Sequence, residues 1–144
     1  MAFDITKFNE TRFTERTEDV PVEELNMFFD EKEKPVWKIR GLTSHEIAEA
    51  EAAVSRNKNV NALIEKLLSE TQKEKLEGIK ELVGMTDKTP DDIVKRLAHL
   101  RIGSIAPECT QEMAVRLANV FPTVFYDLTN KIYRLTGMGQ TPGK

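Results

Sequence analysis

Leu117, Phe121, Phe125, Leu128, Ile132 and Leu135 recur at intervals of 4, 4, 3, 4 and 3 residues, the spacing of one face of an α-helix. An apolar stripe of that length must be covered by another surface, so it constrains the fold more than any other feature of the chain. Pro122 stands inside it. Proline lacks an amide hydrogen and clashes with the carbonyl four residues back, so the pattern predicts a kink, or two helices meeting near Phe121. Thr110 is the expected cap at the start and Gly137 the expected stop at the end.

Helical periodicity also dominates the residues before this stripe. Thr89-Pro90-Asp91-Asp92 combines a hydroxyl cap, a proline in the first turn and two acids at the positive end of the dipole, ahead of Ile93, Val94, Leu97 and Leu100. Two helices, about 60 to 69 and 71 to 83, fit Leu63, Ile64, Leu67, Leu68, Leu76, Ile79, Leu82 and Val83, with Gly84 as a stop. Asn59 or Asn61 is expected to separate them from a helix over about 44 to 57, which Thr43-Ser44-His45-Glu46 opens as a capping box. Its apolar positions are Ile47, Ala50 or Ala48, and Val54.

Two earlier segments break the helical rule. Val36-Trp37-Lys38-Ile39-Arg40 alternates, with Trp37 and Ile39 on one face, and predicts a strand ended by Gly41. Phe3, Phe8 and Phe13 lie five apart, which matches neither helix nor strand, so an extended arm or short irregular strands are expected there. Between these segments, Pro21 and VEELNMFF predict a helix of about two turns with Val22, Leu25, Phe28 and Phe29 as its apolar positions. The fold expected is mainly α, a small multi-helix domain over 21–136 with a short β element near 35–40. An extended N-terminal arm over 1–20 precedes it, and a flexible tail over 137–144 follows.

At 144 residues the chain can close a real core without a disulfide, since a domain of this size buries about 68–70% of its unfolded surface. No apolar run approaches the ~20 residues of a bilayer span, and the N-terminus has neither the basic nor the apolar region of a secretory signal. With a lone Cys109, the cytosol is the expected compartment. Net charge is −3, but residues 1–34 hold ten acids and five bases, while the rest holds fourteen acids and sixteen bases. An acidic head on a nearly neutral body suits an interaction segment better than a surface that tracks phosphates.

The residue inventory for catalysis is thin. His45 and His99 show no zinc-binding spacing with the single Cys, and Cys109 with His99 as base lacks a known nucleophile context. The tail GMGQTPGK fails the phosphate-loop pattern, which requires glycine where Met138 stands. Asp91-Asp92 and Glu23-Glu24 complement helix dipoles. No catalytic residue, cofactor or metal site is therefore expected. A helix-turn-helix with Gln111, Arg116 and Asn119 on its second helix is the alternative, a small DNA-binding or regulatory protein, although few other cations accompany these residues. The stripe from Phe121 to Leu135 and the pair Phe28-Phe29 can each serve as core or as a docking surface, with core the commoner role of such stripes.

The run from Arg16 to Arg40, RTEDVPVEELNMFFDEKEKPVWKIR, continuing through Gly41-Leu42-Thr43-Ser44-His45-Glu46, resembles the opening of tail assembly chaperones of long-tailed bacteriophages. The ending FPTVFYDLTNKIYRLTGMGQTPGK is similar to the closing pattern of that family. Together the two stretches cover 55 of the 144 residues. The resemblance implies a non-enzymatic helical protein of the host cytoplasm, absent from the finished virion. It would bind and solubilise the tape-measure protein and help recruit tail-tube subunits, with self-association as a further expectation and with no role for membrane or nucleic acid. It also implies a longer product made by programmed frameshift: Pro142-Gly143-Lys144 permits a slippery run if Pro142 is encoded by CCG, and the tail would then be a linker. Phe28, Phe29, Phe125 and Tyr133 are the candidate partner contacts.

Overall fold

The computed structural model describes residues 2–67 and 91–143. It is mainly helical with a small sheet. In chain order the elements are α1 (Ile5–Glu10), β1 (Phe13–Thr14), β2 (Thr17–Pro21), a 3-10 turn (Glu23–Phe28), β3 (Val36–Arg40), α2 (Ser44–Leu67), α3 (Asp91–Gly103), β4 (Ser104–Ala106), α4 (Gln111–Val120), α5 (Pro122–Met138) and β5 (Thr141–Pro142).

The alternation at 36–40 becomes the central strand of an antiparallel sheet ordered β2-β3-β4. Thr17 pairs with Arg40 at one end and Pro21 with Val36 at the other. Trp37 and Ile39 are buried and Lys38 is exposed, as the pattern predicts. Pro21 closes an edge strand instead of opening a helix, a place where proline costs no ladder bond. The amide of Val22 then donates to the Pro35 carbonyl at 2.8 Å, and the following segment tightens into 3-10 geometry.

The expected N-terminal arm divides. Residues 17–21 belong to the sheet, where Val20 is fully buried, because Val20 pairs with Trp37 and shares its inward face. Only the residues before Thr17 stand outside this sheet. They hold the six-residue α1, capped by Asp4, whose side chain accepts from the Lys7 amide at 3.0 Å, and β1, which pairs with β5. The expected flexible tail likewise carries a strand, with Thr14 opposite Thr141 and the Gly143 amide on the Arg12 carbonyl at 2.6 Å.

The capping box forms as read: the Glu46 amide donates to Thr43 Oγ1 and the Thr43 amide to Glu46 Oε1. The helix it opens runs without a break at Asn59 or Asn61 to Leu67, since an asparagine inside a helix costs only about 0.7 kcal/mol or less relative to alanine. The expected helix over 71–83, its Gly84 stop and the Thr89-Pro90 start lie outside the described residues. On α2, Ala50 and Val54 are buried while Ile47 is exposed.

The long stripe divides at Pro122, which takes the first position of α5, with Phe121 at φ −128° and ψ 67°, outside helical geometry, between α4 and α5. Helix α5 ends at Gly139 and not at Gly137. Gly139 adopts φ 71°, a left-handed conformation open to glycine, whereas Gly137 remains helical. The core joins the inner face of the sheet (Val20, Trp37, Ile39) to Leu97 and Leu100 of α3, Ala114 and Leu117 of α4, and Phe125, Leu128 and Ile132 of α5. Outside the core, Arg134 of α5 forms an ion pair with Glu18 of β2.

Candidate functional site

An open groove of about 750 Å³ lies where the 3-10 turn, the start of β3, the end of β4 and helix α4 converge. Its lining is mostly apolar and comes from residues with two different burial states. Leu25, Trp37 and Leu117 are core residues that also reach it, each less than a tenth exposed. Phe28 is 68% exposed, Val120 56% and Met113 38%, and these carry apolar surface into solvent. Asp30, Glu33, Lys34 and Arg116 supply two charges of each sign.

Local sequence explains the shape. Five turn residues, Asp30 to Lys34, are too polar to close over the site and stay exposed. Trp37 is anchored from behind: its Nε1–H donates to Ser104 Oγ at 2.9 Å, and that hydroxyl donates to the Leu100 carbonyl at 2.6 Å. The indole body is thus left to the groove while its polar atom is satisfied. Ala106 at the end of β4 and the following Pro107 complete the lining.

Of the four residues expected to contact a partner, the structure brings two together. Phe28 and Phe29 both line the groove, Phe28 exposed and Phe29 half-buried against the core. Phe125 does not belong to such a surface: it is 1% exposed at the centre of the core, because the stripe it sits on is covered by the protein's own sheet and helices. Tyr133 lies elsewhere, half-buried on α5, with its ring 4.6 Å from that of His99 and 5.4 Å from the Arg96 guanidinium. Arg96 donates to Thr129 Oγ1 at 2.6 Å and lies over the Tyr126 ring, so this cluster binds α3 to α5.

The sequence reading missed Met113 and Val120. They sit three and four residues from Arg116 and Leu117 on a second face of α4, beside the core positions Ala114, Leu117 and Phe121. An apolar band wider than one core-facing stripe was the available signal.

The candidate nucleophile is in the wrong environment for one. Cys109 is buried, and burial pushes its thiol up to about 11, the state of an inert core cysteine. His99 is buried with Nδ1 lacking a hydrogen-bond partner among the described residues, and desolvation lowers its pKa. Among the described residues no group of three or more His, Cys, Asp or Glu is placed to hold a metal ion, and no helix is long and apolar enough to cross a membrane. Strand β4 and a loop separate α3 from α4, so the pair is not the tight helix-turn-helix unit considered above, and Arg116 faces the apolar groove.

No protein-family model, curated protein or solved structure matches the chain.

Proposed function

We propose that the protein is a tail assembly chaperone of a long-tailed bacteriophage, which binds an apolar helical face of the tape-measure protein and keeps it soluble before tube subunits assemble around it. The observation that carries this reading is the groove itself. Phe28, Met113 and Val120 hold apolar surface open to solvent beside a well-packed core, where a monomer with no partner would gain by burying it. A groove lined by large apolar residues and bordered by charge suits an amphipathic helix, whose apolar face needs cover and whose polar face can stay wet. The resemblance of residues 16–46 and 121–144 to that family supplies the identity of the client. In this reading the chain works by stoichiometric contact, and its location is the host cytoplasm.

Co-expression tests it. The tape-measure protein should remain soluble and co-purify with the unaltered chain, and should pellet when the chain carries Val120→Asp or Phe28→Ser. Both positions are more than half exposed, so the fold should survive either change. Equal soluble yield with and without the chain would remove the reading.

A further inference from the structure

The charges of the groove are divided between its two sides. Asp30, Glu33 and Lys34 stand on the turn between the 3-10 segment and β3, whereas Arg116 is the one charge that α4 brings to the described lining. With two acids and one base the turn side carries 1 − 2 = −1, and the α4 side carries +1.

Arg116 sits inside an apolar strip. Met113 lies three residues before it, Leu117 beside it and Val120 four residues after it, so the guanidinium stands at mid-length among side chains that cannot pair with it. It is exposed, and it makes no hydrogen bond or ion pair with any described residue, Asp30 and Glu33 included. Glu112 stands four positions earlier, the spacing at which helical acids and bases meet, yet it does not line the groove and forms no ion pair with Arg116. The arginines that tie the scaffold together behave differently: Arg40 meets Glu46, Arg96 meets Asp92 and Arg134 meets Glu18. A cation left unpaired on an apolar wall is placed to read a carboxylate on whatever enters.

Met113 to Val120 spans two helical turns, about 10 Å of α4. A wall of that length matches two turns of an incoming helix that touches it through positions i, i+3 or i+4, and i+7. A contact this short is weak by area alone, so the charges at its edges decide which helix is held. We infer that the groove selects amphipathic helices with a carboxylate on one edge of the apolar face, which meets Arg116, and an ammonium or guanidinium group on the other edge, which meets Asp30 and Glu33. The inference rests on the reading of the groove as a helix site and adds what that site requires of its occupant. It makes Arg116 the specificity-determining residue of the groove, with Phe28, Met113 and Val120 supplying apolar contact that any such helix would receive.

Trp37 lines the groove, so its emission in the full chain reports what enters. The probes are three synthetic helical peptides that share one leucine face: the first has Glu along one edge and Lys along the other, the second has Lys on both edges, and the third has Glu on both. The mixed peptide should bind about tenfold more tightly than either uniform one at physiological salt, and the three should converge at high salt while binding persists. Arg116→Glu should make the peptide with two Lys edges the tightest ligand. Arg116→Gln, which removes the charge without reversing it, should erase the advantage of the mixed peptide over that one, and it carries the test if the reversed charge prevents folding. Arg116 is exposed, and circular dichroism checks each variant. Equal affinity for the three peptides, or a loss in the Arg116 variants that is the same for all of them, would overturn the selection while leaving the helix site in place. No Trp37 response to any of the peptides would overturn the helix site itself and the selection with it.

Discussion

Gly41 rests directly on the backbone of Leu135: a methyl group at position 41 would lie 2.9 Å from the Leu135 carbonyl carbon and 3.0 Å from its oxygen. The end of β3 is thereby held against α5, and the next residue secures the contact, the Leu42 amide donating to Thr136 Oγ1 at 3.0 Å. Backbone cannot yield as a side-chain tip can. Gly41→Ala should destabilise the fold by about 1–3 kcal/mol through overpacking, read as a lower urea midpoint with an unchanged m-value.

Arg40 and Glu46 couple the same corner to pH. The guanidinium meets the carboxylate through two parallel bonds, Nη1 to Oε1 at 2.8 Å and Nη2 to Oε2 at 2.5 Å, and holds Glu46 down to about 2. A carboxylate whose folded pKa lies below its ordinary 4.5 contributes stability that is complete above pH 4.5 and is lost as the pH falls toward 2. Glu46→Gln should lower stability at pH 7 by about 1–2 kcal/mol, and should flatten the stability profile in that acid window. Chemical denaturation at several pH values reads both effects.

His99 acts in a higher window. Burial lowers its pKa from 6.5, with Glu51 of α2, Asp92, Lys95 and Arg96 of α3, and Tyr133 of α5 around it. The unfolded chain takes up the proton first, so the His99 contribution is complete above about pH 6.5 and falls as the pH drops below it. His99→Phe should remove that dependence, which thermal unfolding between pH 5 and pH 7.5 will show.

Ser104 accepts the Trp37 indole proton and gives its own to the Leu100 carbonyl. Ser104→Ala leaves that donor unpaired beside the groove and should cost about 1–2 kcal/mol. Trp37 is the sole tryptophan, so a changed emission spectrum reports the loss directly.

Cys109 should be nearly inert. A thiol at about 11 has little thiolate at pH 8, and its modification by a disulfide reagent should run about a hundredfold slower than that of an ordinary cysteine. Unfolding in urea should restore the ordinary rate.

Much of the scaffold was legible because its signals are local. Trp37 and Ile39 alternate, Thr43 and Glu46 cap each other, and Pro122 forces α4 and α5 apart, each within a few residues of sequence. The pairing of β2 with β3 was not legible, since Val20 becomes a core residue only through a register with Trp37 seventeen positions away. The same distance problem governs the groove. Phe28 and Phe29 stand out as an aromatic pair, but Met113 and Val120 acquire meaning only when α4 is set beside Trp37. Phe125 shows the converse: its periodicity marked a stripe that needs cover but left open whether a partner or the core supplies it, and tertiary packing puts Phe125 in the core instead of at a partner contact.

The central claim, that the groove takes an apolar helix of the tape-measure protein, is tested most directly by titrating the full chain with a purified amphipathic segment of that protein. Trp37 emission is followed at low and high salt. The account predicts a saturable change that persists at high salt and is abolished by Val120→Asp, because apolar burial is not screened as phosphate or charge contacts are. No change in Trp37, or binding that vanishes with salt and ignores Val120→Asp, would contradict it.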